Sequence, residues 1–201
     1  ELRRIIPVIE GLRARSQVAI SIDTSKAVVA EAAIDLGAEI INDVTALRGD
    51  PLMPEVAAKS AAGVVLMHMQ GEPRTMQEKP TYKDVAGEVG EFLRQRVSIA
   101  IGYGMTAERM AIDPGIGFGK TAEHNAALLR SLDRLVQIGL PVLVGVSRKS
   151  FLRWLAQAPS TTERFWPGIA LTSFCREKGA RIFRVHDPKP HSGGDSHYAA
   201  T

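Results

Sequence analysis

Cysteine, surplus charge and extended apolar stretches are all scarce in this 201-residue sequence, and each scarcity excludes a class of protein. The one cysteine, Cys175, cannot form an internal disulfide or a cysteine-based zinc cluster, so we expect a reducing, cytoplasmic location. No apolar stretch approaches the roughly 20 residues that a membrane span needs. The net charge of +3 is too small to indicate nucleic-acid binding and suits a small anionic ligand.

Short β-rich runs alternate with helical patterns along the whole chain. Between the first two runs, Ser25–Leu36 carries a helical apolar face, with Thr24 or Ser25 as a candidate N-cap and Gly37 at the C-terminal end. This alternation predicts parallel βα units. The six predicted strands are Val18–Ile22, Glu39–Asn42, Gly63–Met67, Arg109–Asp113, Val142–Val146 and Arg181–Val185.

Polar residues follow or end all six predicted strands, which favours a (β/α)₈ barrel over an open doubly wound sheet. We predict that residues 1–187 form about six of the eight βα units and that 188–201 form an irregular C-terminal tail. The chain starts without Met, and its first segment, Leu2–Arg15, has a helical pattern. We therefore expect an N-terminally truncated piece of a longer barrel.

A glycine-rich segment, Asp113–Thr121, follows the fourth predicted strand. A phosphate-binding P-loop would need glycine where Pro114 stands, and a dinucleotide fingerprint would need glycine where Lys120 stands. Both nucleotide motifs therefore fail. The alternatives left open are a loop that lets the backbone approach a ligand and a tight turn without one.

The candidate site residues lie at the strand ends. Asp23 and Asp113 could each accept two parallel hydrogen bonds from a ring with adjacent N–H donors, and each could equally be a helix N-cap. Asn42 matches a heterocycle edge of mixed donors and acceptors. Paired carboxylates for glycoside hydrolysis would fit the two acids but leave Asn42 and Lys149 without a role.

Basic groups end the last two strands. Ser147 and Lys149 can hold an anion or polarise a carbonyl, or form a solvated first turn. Arg184 and His186 point to the same side of a strand, and an arginine can stack on a ring or bind phosphate. The spacing of the remaining histidines does not indicate a metal site.

Six ordered motifs together resemble the pterin-binding enzyme family. They are Ser21–Lys26, Ile41–Val44, Leu66–Gly71, Ile112–Lys120, Val144–Ser150 and Arg184–Asp187. The resemblance implies a (β/α)₈ barrel that joins p-aminobenzoate to 6-hydroxymethyl-7,8-dihydropterin pyrophosphate, releasing pyrophosphate with the help of Mg²⁺. It implies small-molecule substrates as partners, with no nucleic acid and no membrane.

The resemblance also implies roles for particular residues. It assigns Lys149, Arg184 and His186 to catalysis. The implied pterin ligands are Asp23, Asn42, Met69, Asp113, Lys149 and Arg184. The implied p-aminobenzoate ligands are Phe118, Ser147 and Lys149, and the implied pyrophosphate ligands are Arg184 and His186.

The sequence departs from the family pattern at both ends. The family's first two strands, which carry a metal-binding Asn, have no counterpart here, so the resemblance places no metal ligand in this chain. Two prolines and two adjacent glycines follow Asp187 where the family has a closing helix, which argues against a family-type homodimer. Two alternatives stay open: a pterin-dependent methyltransferase domain and a non-catalytic fragment.

We predict that residues 1–201 alone show no p-aminobenzoate-dependent release of pyrophosphate. A barrel without two adjacent strands exposes two sheet edges, and loss of one electrostatic partner typically costs about 10²–10³ in rate. Fusing two family-type βα units ahead of Glu1 is expected to restore Mg²⁺-dependent release, measured by a coupled pyrophosphate assay. Clear turnover by the unextended chain contradicts this prediction.

Overall fold

The structure is a computed structural model that describes residues 1–192. These residues divide into two compact units. The first unit comprises Glu1–His68 and Glu91–Ile112, and the second comprises Met69–Gly90 and the chain from Asp113 onward. Within the described residues, no helix combines the length and the apolar character needed to cross a membrane.

The first unit is built from alternating helices and strands around a four-stranded sheet of order β1-β2-β3-β4. Strands β1 and β2 pair in parallel, as do β2 and β3. The elements in chain order are α1 (Leu2–Arg13), β1 (Ser21–Asp23), α2 (Ala27–Asp35), β2 (Ile40–Asp43), α3 (Met53–Lys59), β3 (Gly63–Met67), α4 (Val85–Gly102) and β4 (Met110–Asp113).

Strands β2, β3 and β4 of this sheet are buried along almost their whole length. Ile41, Leu66 and Ile112 are fully enclosed, and so is Met53 at the start of α3. Continuous burial, rather than alternation, is typical of parallel strands covered by helices. The polar residues Asn42 and Asp113 are therefore held at the carboxyl ends of rigid strands.

The second unit contains a pair of short parallel strands, β5 and β6. Its core includes Ile116, Leu128 and Leu152, all enclosed. Its further elements in chain order are α5 (Ala122–Arg130), α6 (Leu132–Val136), β5 (Leu143–Val144), α7 (Leu152–Leu155), α8 (Phe165–Glu177), β6 (Ile182–Phe183) and α9 (Pro188–Ser192).

Each of the six predicted strand runs overlaps a strand of the structure, but the start of α2 differs from the prediction. The N-cap is Lys26, and no side chain of its own caps the helix. Instead, the carboxylate of Asp50, 23 residues away in sequence, accepts a 2.9 Å hydrogen bond from the Ala27 amide. The Thr24 hydroxyl accepts a 3.1 Å bond from Lys26 outside the helix. Gly37 ends the helix as predicted, with a φ of 100°.

The predicted irregular tail begins with a helix. Pro188 and Pro190 lie in the first turn of α9, where amide hydrogens have no intrahelical acceptor, so the two prolines cost no helical hydrogen bond there. The prediction was therefore wrong for residues 188–192. Residues 193–201 lie outside the described part of the chain.

We predict that Gly37→Ala destabilises the protein by about 1–2 kcal/mol, because a left-handed alanine is strained. Its Cβ would also lie 3.0 Å from Nε of Arg13. The matched control is Gly11→Ala in α1, where a Cβ meets nothing within 4 Å. Removing a helical glycine there is expected to stabilise by roughly 0.5–1 kcal/mol. Urea unfolding measures the change in the free energy of unfolding, which we expect to be a decrease for Gly37→Ala and an increase for Gly11→Ala. Equal changes in the two variants would contradict the prediction.

Candidate active site

In the first unit, the structure brings Asp23 and Asn42 together at the ends of neighbouring strands. The two residues are partners in the β1–β2 register. Asn42 is completely buried, and its Nδ2 donates a hydrogen bond to Oδ1 of Asp23. Asp23 itself is exposed, so one carboxylate can present its free surface to a ligand while the buried amide orients it.

The loop that follows Asn42 is held rigidly by the next residue. Oδ2 of Asp43 accepts a 2.8 Å bond from the Leu47 amide, and Oδ1 accepts a 2.8 Å bond from the Thr45 amide. Ala46 and Leu47 adopt left-handed φ angles of 52° and 63°. Nε of Arg96 donates to the Ala46 carbonyl at 2.7 Å, and burial lowers the pKa of this guanidinium. The backbone beside Asn42 is therefore fixed by a buried polar network.

In the second unit, six of the predicted site residues line one cavity of about 720 Å³. The cavity opens between the glycine-rich loop after β4 and the loops that follow β5 and β6. The six residues are Asp113, Phe118, Ser147, Lys149, Arg184 and His186.

Asp113 is the buried acid of this cavity, with 3% of its surface exposed. Its Oδ1 accepts a 2.7 Å hydrogen bond from the Gly115 amide. Asp113 is not a helix N-cap, because the following helix, α5, has Thr121 as its N-cap. Burial raises the pKa of this carboxyl, and the Gly115 hydrogen bond and the charges of Arg184 and Lys149 oppose that rise. A ligand that donates hydrogen bonds to Asp113 would favour its ionised form further.

Lys149 and Phe118 form a cation–π pair at the cavity. Nζ of Lys149 lies 4.2 Å from the centroid of the Phe118 ring. Burial lowers the pKa of Lys149, the charge of Asp113 raises it, and the charge of Arg184 lowers it. An ammonium beside an aromatic face can bind both a polar group and a flat ring.

Ser147 connects the β5 loop to the β6 loop. Its hydroxyl lies 3.1 Å from Nδ1 of His186 and accepts a 3.4 Å hydrogen bond from the His186 amide. The next pair along the two loops, Arg148 and Asp187, forms an ion pair of 2.5 Å. These contacts hold the His186 ring beside Arg184 at the mouth of the cavity.

Two residues that sequence reasoning missed organise the glycine-rich loop. Nζ of Lys120 donates to the carbonyls of Gly115 and Phe118, both at 3.0 Å, and burial lowers the pKa of Lys120 to about 7. Oδ1 of Asn125 accepts a 2.8 Å bond from Gly117. A lysine directly after a run of glycines was the available signal. Met69 is buried beyond β3 and does not line this cavity.

The described side chains do not fit a metal ion held by the protein alone. Residues 1–192 contain no group of three or more His, Cys, Asp or Glu side chains placed to hold one. The cavity's charged lining also includes three cations, Arg148, Lys149 and Arg184, against the single carboxylate of Asp113.

A family model described as "Pterin binding enzyme" matches residues 1–186. A dihydropteroate synthase from Synechocystis is 44% identical over 93% of this chain and 65% of its own length. The solved dihydropteroate synthase from Stenotrophomonas maltophilia is 44% identical, with a TM-score of 0.95 over 100% of this chain and 75% of that one. The Xanthomonas albilineans enzyme in complex with 7,8-dihydropteroate is 40% identical, with a TM-score of 0.92 over 100% of this chain and 73% of that one.

These similarities confirm the predicted fold class, a (β/α)₈ barrel, of which residues 1–192 supply six strands. The chain spans about two thirds of the length of the curated relatives it matches. The six sequence motifs, the cavity that gathers predicted side chains from three strand ends, and the family match agree. The chain belongs to the pterin-binding enzyme family.

Proposed function

We propose that this chain is part of a dihydropteroate synthase. In the proposed reaction, the amino nitrogen of p-aminobenzoate bonds to the methylene of 6-hydroxymethyl-7,8-dihydropterin pyrophosphate. The methylene–oxygen bond breaks, pyrophosphate departs with the electron pair, and the amine loses a proton. The observation that carries the proposal is the second unit's cavity, where a buried acid, an aromatic–cation pair and an Arg–His pair line one space.

The pterin ring is the proposed partner of Asp113. A carboxylate fits a ring edge with two adjacent N–H donors, because it accepts both in parallel. Burial makes an ionised Asp113 costly in the empty cavity, so hydrogen bonds from the ring replace lost hydration. The family motifs extend the proposed pterin ligands to Asp23, Asn42 and Met69.

The arylamine is the proposed partner of Phe118, Ser147 and Lys149. The Phe118 ring supplies an apolar surface for a flat ring, and the Lys149 ammonium 4.2 Å above it supplies a charge. The amine of p-aminobenzoate is weakly basic, so the reaction needs it to be positioned next to the methylene rather than deprotonated beforehand. A covalent intermediate with the protein is not required.

The leaving pyrophosphate is the proposed partner of Arg184 and His186. Negative charge grows on the bridging oxygen as the bond breaks, and fixed cationic donors stabilise that transition state. The Ser147 hydroxyl, 3.1 Å from Nδ1 of His186, orients the imidazole. Mg²⁺ enters the proposal as an ion carried by the pyrophosphate oxygens of the substrate, since Mg²⁺ commonly binds through substrate phosphates.

The lone Cys175 supports the proposed cytoplasmic location, because a reducing compartment leaves a single thiol unoxidised.

Lys149→Ala in the complete protein is expected to weaken the binding of both substrates, because one ammonium is assigned to both. Each lost charge-assisted hydrogen bond is worth roughly 1.5–3 kcal/mol, so kcat/KM should fall more than tenfold. The matched control is Lys178→Ala, which removes an ammonium 5.9 Å from the Phe174 ring at the end of α8. Near-normal kinetics for Lys149→Ala would remove Lys149 from the site.

Asp113→Asn is expected to raise the KM for the pterin substrate much more than the KM for p-aminobenzoate. The amide places a donor opposite a ring donor, while the neutral side chain removes the cost of a buried charge and preserves the fold. Asp133→Asn on α6 is the control for a surface change of the same type. Steady-state kinetics with each substrate varied in turn provide the measurement. Equal losses for the two substrates would show that Asp113 organises the loop instead of binding the ring.

A further inference from the structure

The most deeply buried lysine of the second unit has no part in the chemistry above. Lys120 is 3% exposed, and its Nζ donates to the carbonyls of Gly115 and Phe118 at 3.0 Å each. Burying an ammonium is costly unless hydrogen bonds compensate it. The two carbonyl acceptors supply that compensation, and a hydrophobic side chain in the same space could not bind them.

The loop that Lys120 holds has little intrinsic preference for its conformation. Gly115, Gly117 and Gly119 all have left-handed φ angles, of 67°, 82° and 59°. Glycine gains the most freedom of any residue when a segment loosens, so such a loop needs external ties. One internal hydrogen bond, from the Phe118 amide to the Gly115 carbonyl at 3.0 Å, closes it.

Two side chains from the segment between β3 and α4 tie two further loop carbonyls. Nε2 of Gln77 donates to the Gly117 carbonyl at 2.6 Å, and the Tyr82 hydroxyl donates to the Gly119 carbonyl at 2.8 Å. Lys120 is the charged member of this set, and it alone of the three side chains bridges two loop carbonyls in the described contacts. Its two acceptors, Gly115 and Phe118, are the ends of the turn that presents the Phe118 ring.

We propose that Lys120 is the positioning residue of the aminobenzoate subsite, its ammonium fixing the Gly115–Phe118 turn so that the Phe118 ring stands against Lys149. The proposal rests on the proposed function, because it assigns Phe118 to the arylamine. Lys120 acts through the loop and does not contact the reacting atoms.

The charged groups around Lys120 make this position sensitive to pH. Asp113 on β4 favours the ammonium, while Lys149 in the β5 loop and burial disfavour it, so the pKa is about 7. The centroid of the Tyr82 ring lies 6.0 Å from Nζ, and His124 of α5 makes a T-shaped contact with that ring. The pKa of Tyr82 is raised by burial, so Tyr82 stays neutral when Lys120 titrates. Above about pH 7, Lys120 therefore holds the two carbonyls as a weaker, neutral donor.

The test uses Lys120→Met and Lys120→Arg in the complete protein, with Lys83→Met as the control for losing an exposed lysine of the same unit. In wild type, the KM for p-aminobenzoate is expected to rise as the pH increases through about 7. Lys120→Met should raise that KM about tenfold at pH 6.5 with kcat changed less than about threefold. The pterin KM should rise less than the p-aminobenzoate KM, through the positive charge that Asp113 loses. Lys120→Arg keeps its positive charge at every pH of the experiment, so its KM for p-aminobenzoate should not rise with pH.

Hydrogen exchange of the Phe118 amide provides a measurement that does not depend on turnover. Lys120→Met is expected to lower its protection, and Lys83→Met should not. A uniform loss of all kinetic parameters in Lys120→Met, or unchanged protection, overturns the proposal. If Lys120→Met does not fold, Lys120→Arg provides the test. A KM for p-aminobenzoate that rises with pH in Lys120→Arg as it does in wild type overturns the proposal. If the complete wild-type protein, unlike residues 1–201 alone, is also without p-aminobenzoate-dependent release of pyrophosphate, that result refutes the proposed function instead, and the exchange measurement then tests Lys120 alone.

Discussion

Burying the carboxylate of Asp113 would cost several kcal/mol without compensation, and the second unit's cavity is arranged around that cost. The Gly115 amide supplies a hydrogen bond, and Lys120, Lys149 and Arg184 supply positive charge. The same charges repel one another, since Lys149 lowers the pKa of Lys120 and Arg184 lowers that of Lys149. The charge of Asp113 raises the pKa of both Lys120 and Lys149, so a change at Asp113 alters the protonation of these two lysines together.

The order and type of the strands could be predicted from the sequence because buried parallel strands leave continuous β-rich runs. Two details of the secondary structure were predicted wrongly, one because of a residue far away in the chain and one because of prolines. Asp50 caps α2 from the loop after β2, so no local pattern identifies it. The helix at Pro188–Ser192 was missed because prolines usually end helices, whereas in a first turn they cost nothing.

Site residues that follow a strand could be predicted from the sequence, whereas residues that support a loop could not. Asp113 ends β4, and Ser147 and His186 each lie three residues beyond the ends of β5 and β6, so all three follow the carboxyl ends of parallel strands. Lys120 was considered only as the wrong residue for a nucleotide motif, because its contacts are with carbonyls and carry no sequence pattern. The physical signal was its charge in a segment otherwise suited to burial.

Backbone strain marks the predicted site residues in both units. In the first unit, Leu47 is left-handed close to Asn42, and in the second unit Arg148 is left-handed, with a φ of 57°, between Ser147 and Lys149. A non-glycine residue in this conformation costs about 1–3 kcal/mol and persists only where its surroundings enforce it. The exposed ion pair of Arg148 with Asp187 contributes at most about 1 kcal/mol, so it does not offset the strain alone. The Lys149 amide bonds the Val146 carbonyl at 3.3 Å, and the Ser147–His186 contacts hold the residue on the other side of Arg148. The turn that carries Lys149 is therefore tied to the same hydroxyl that orients His186.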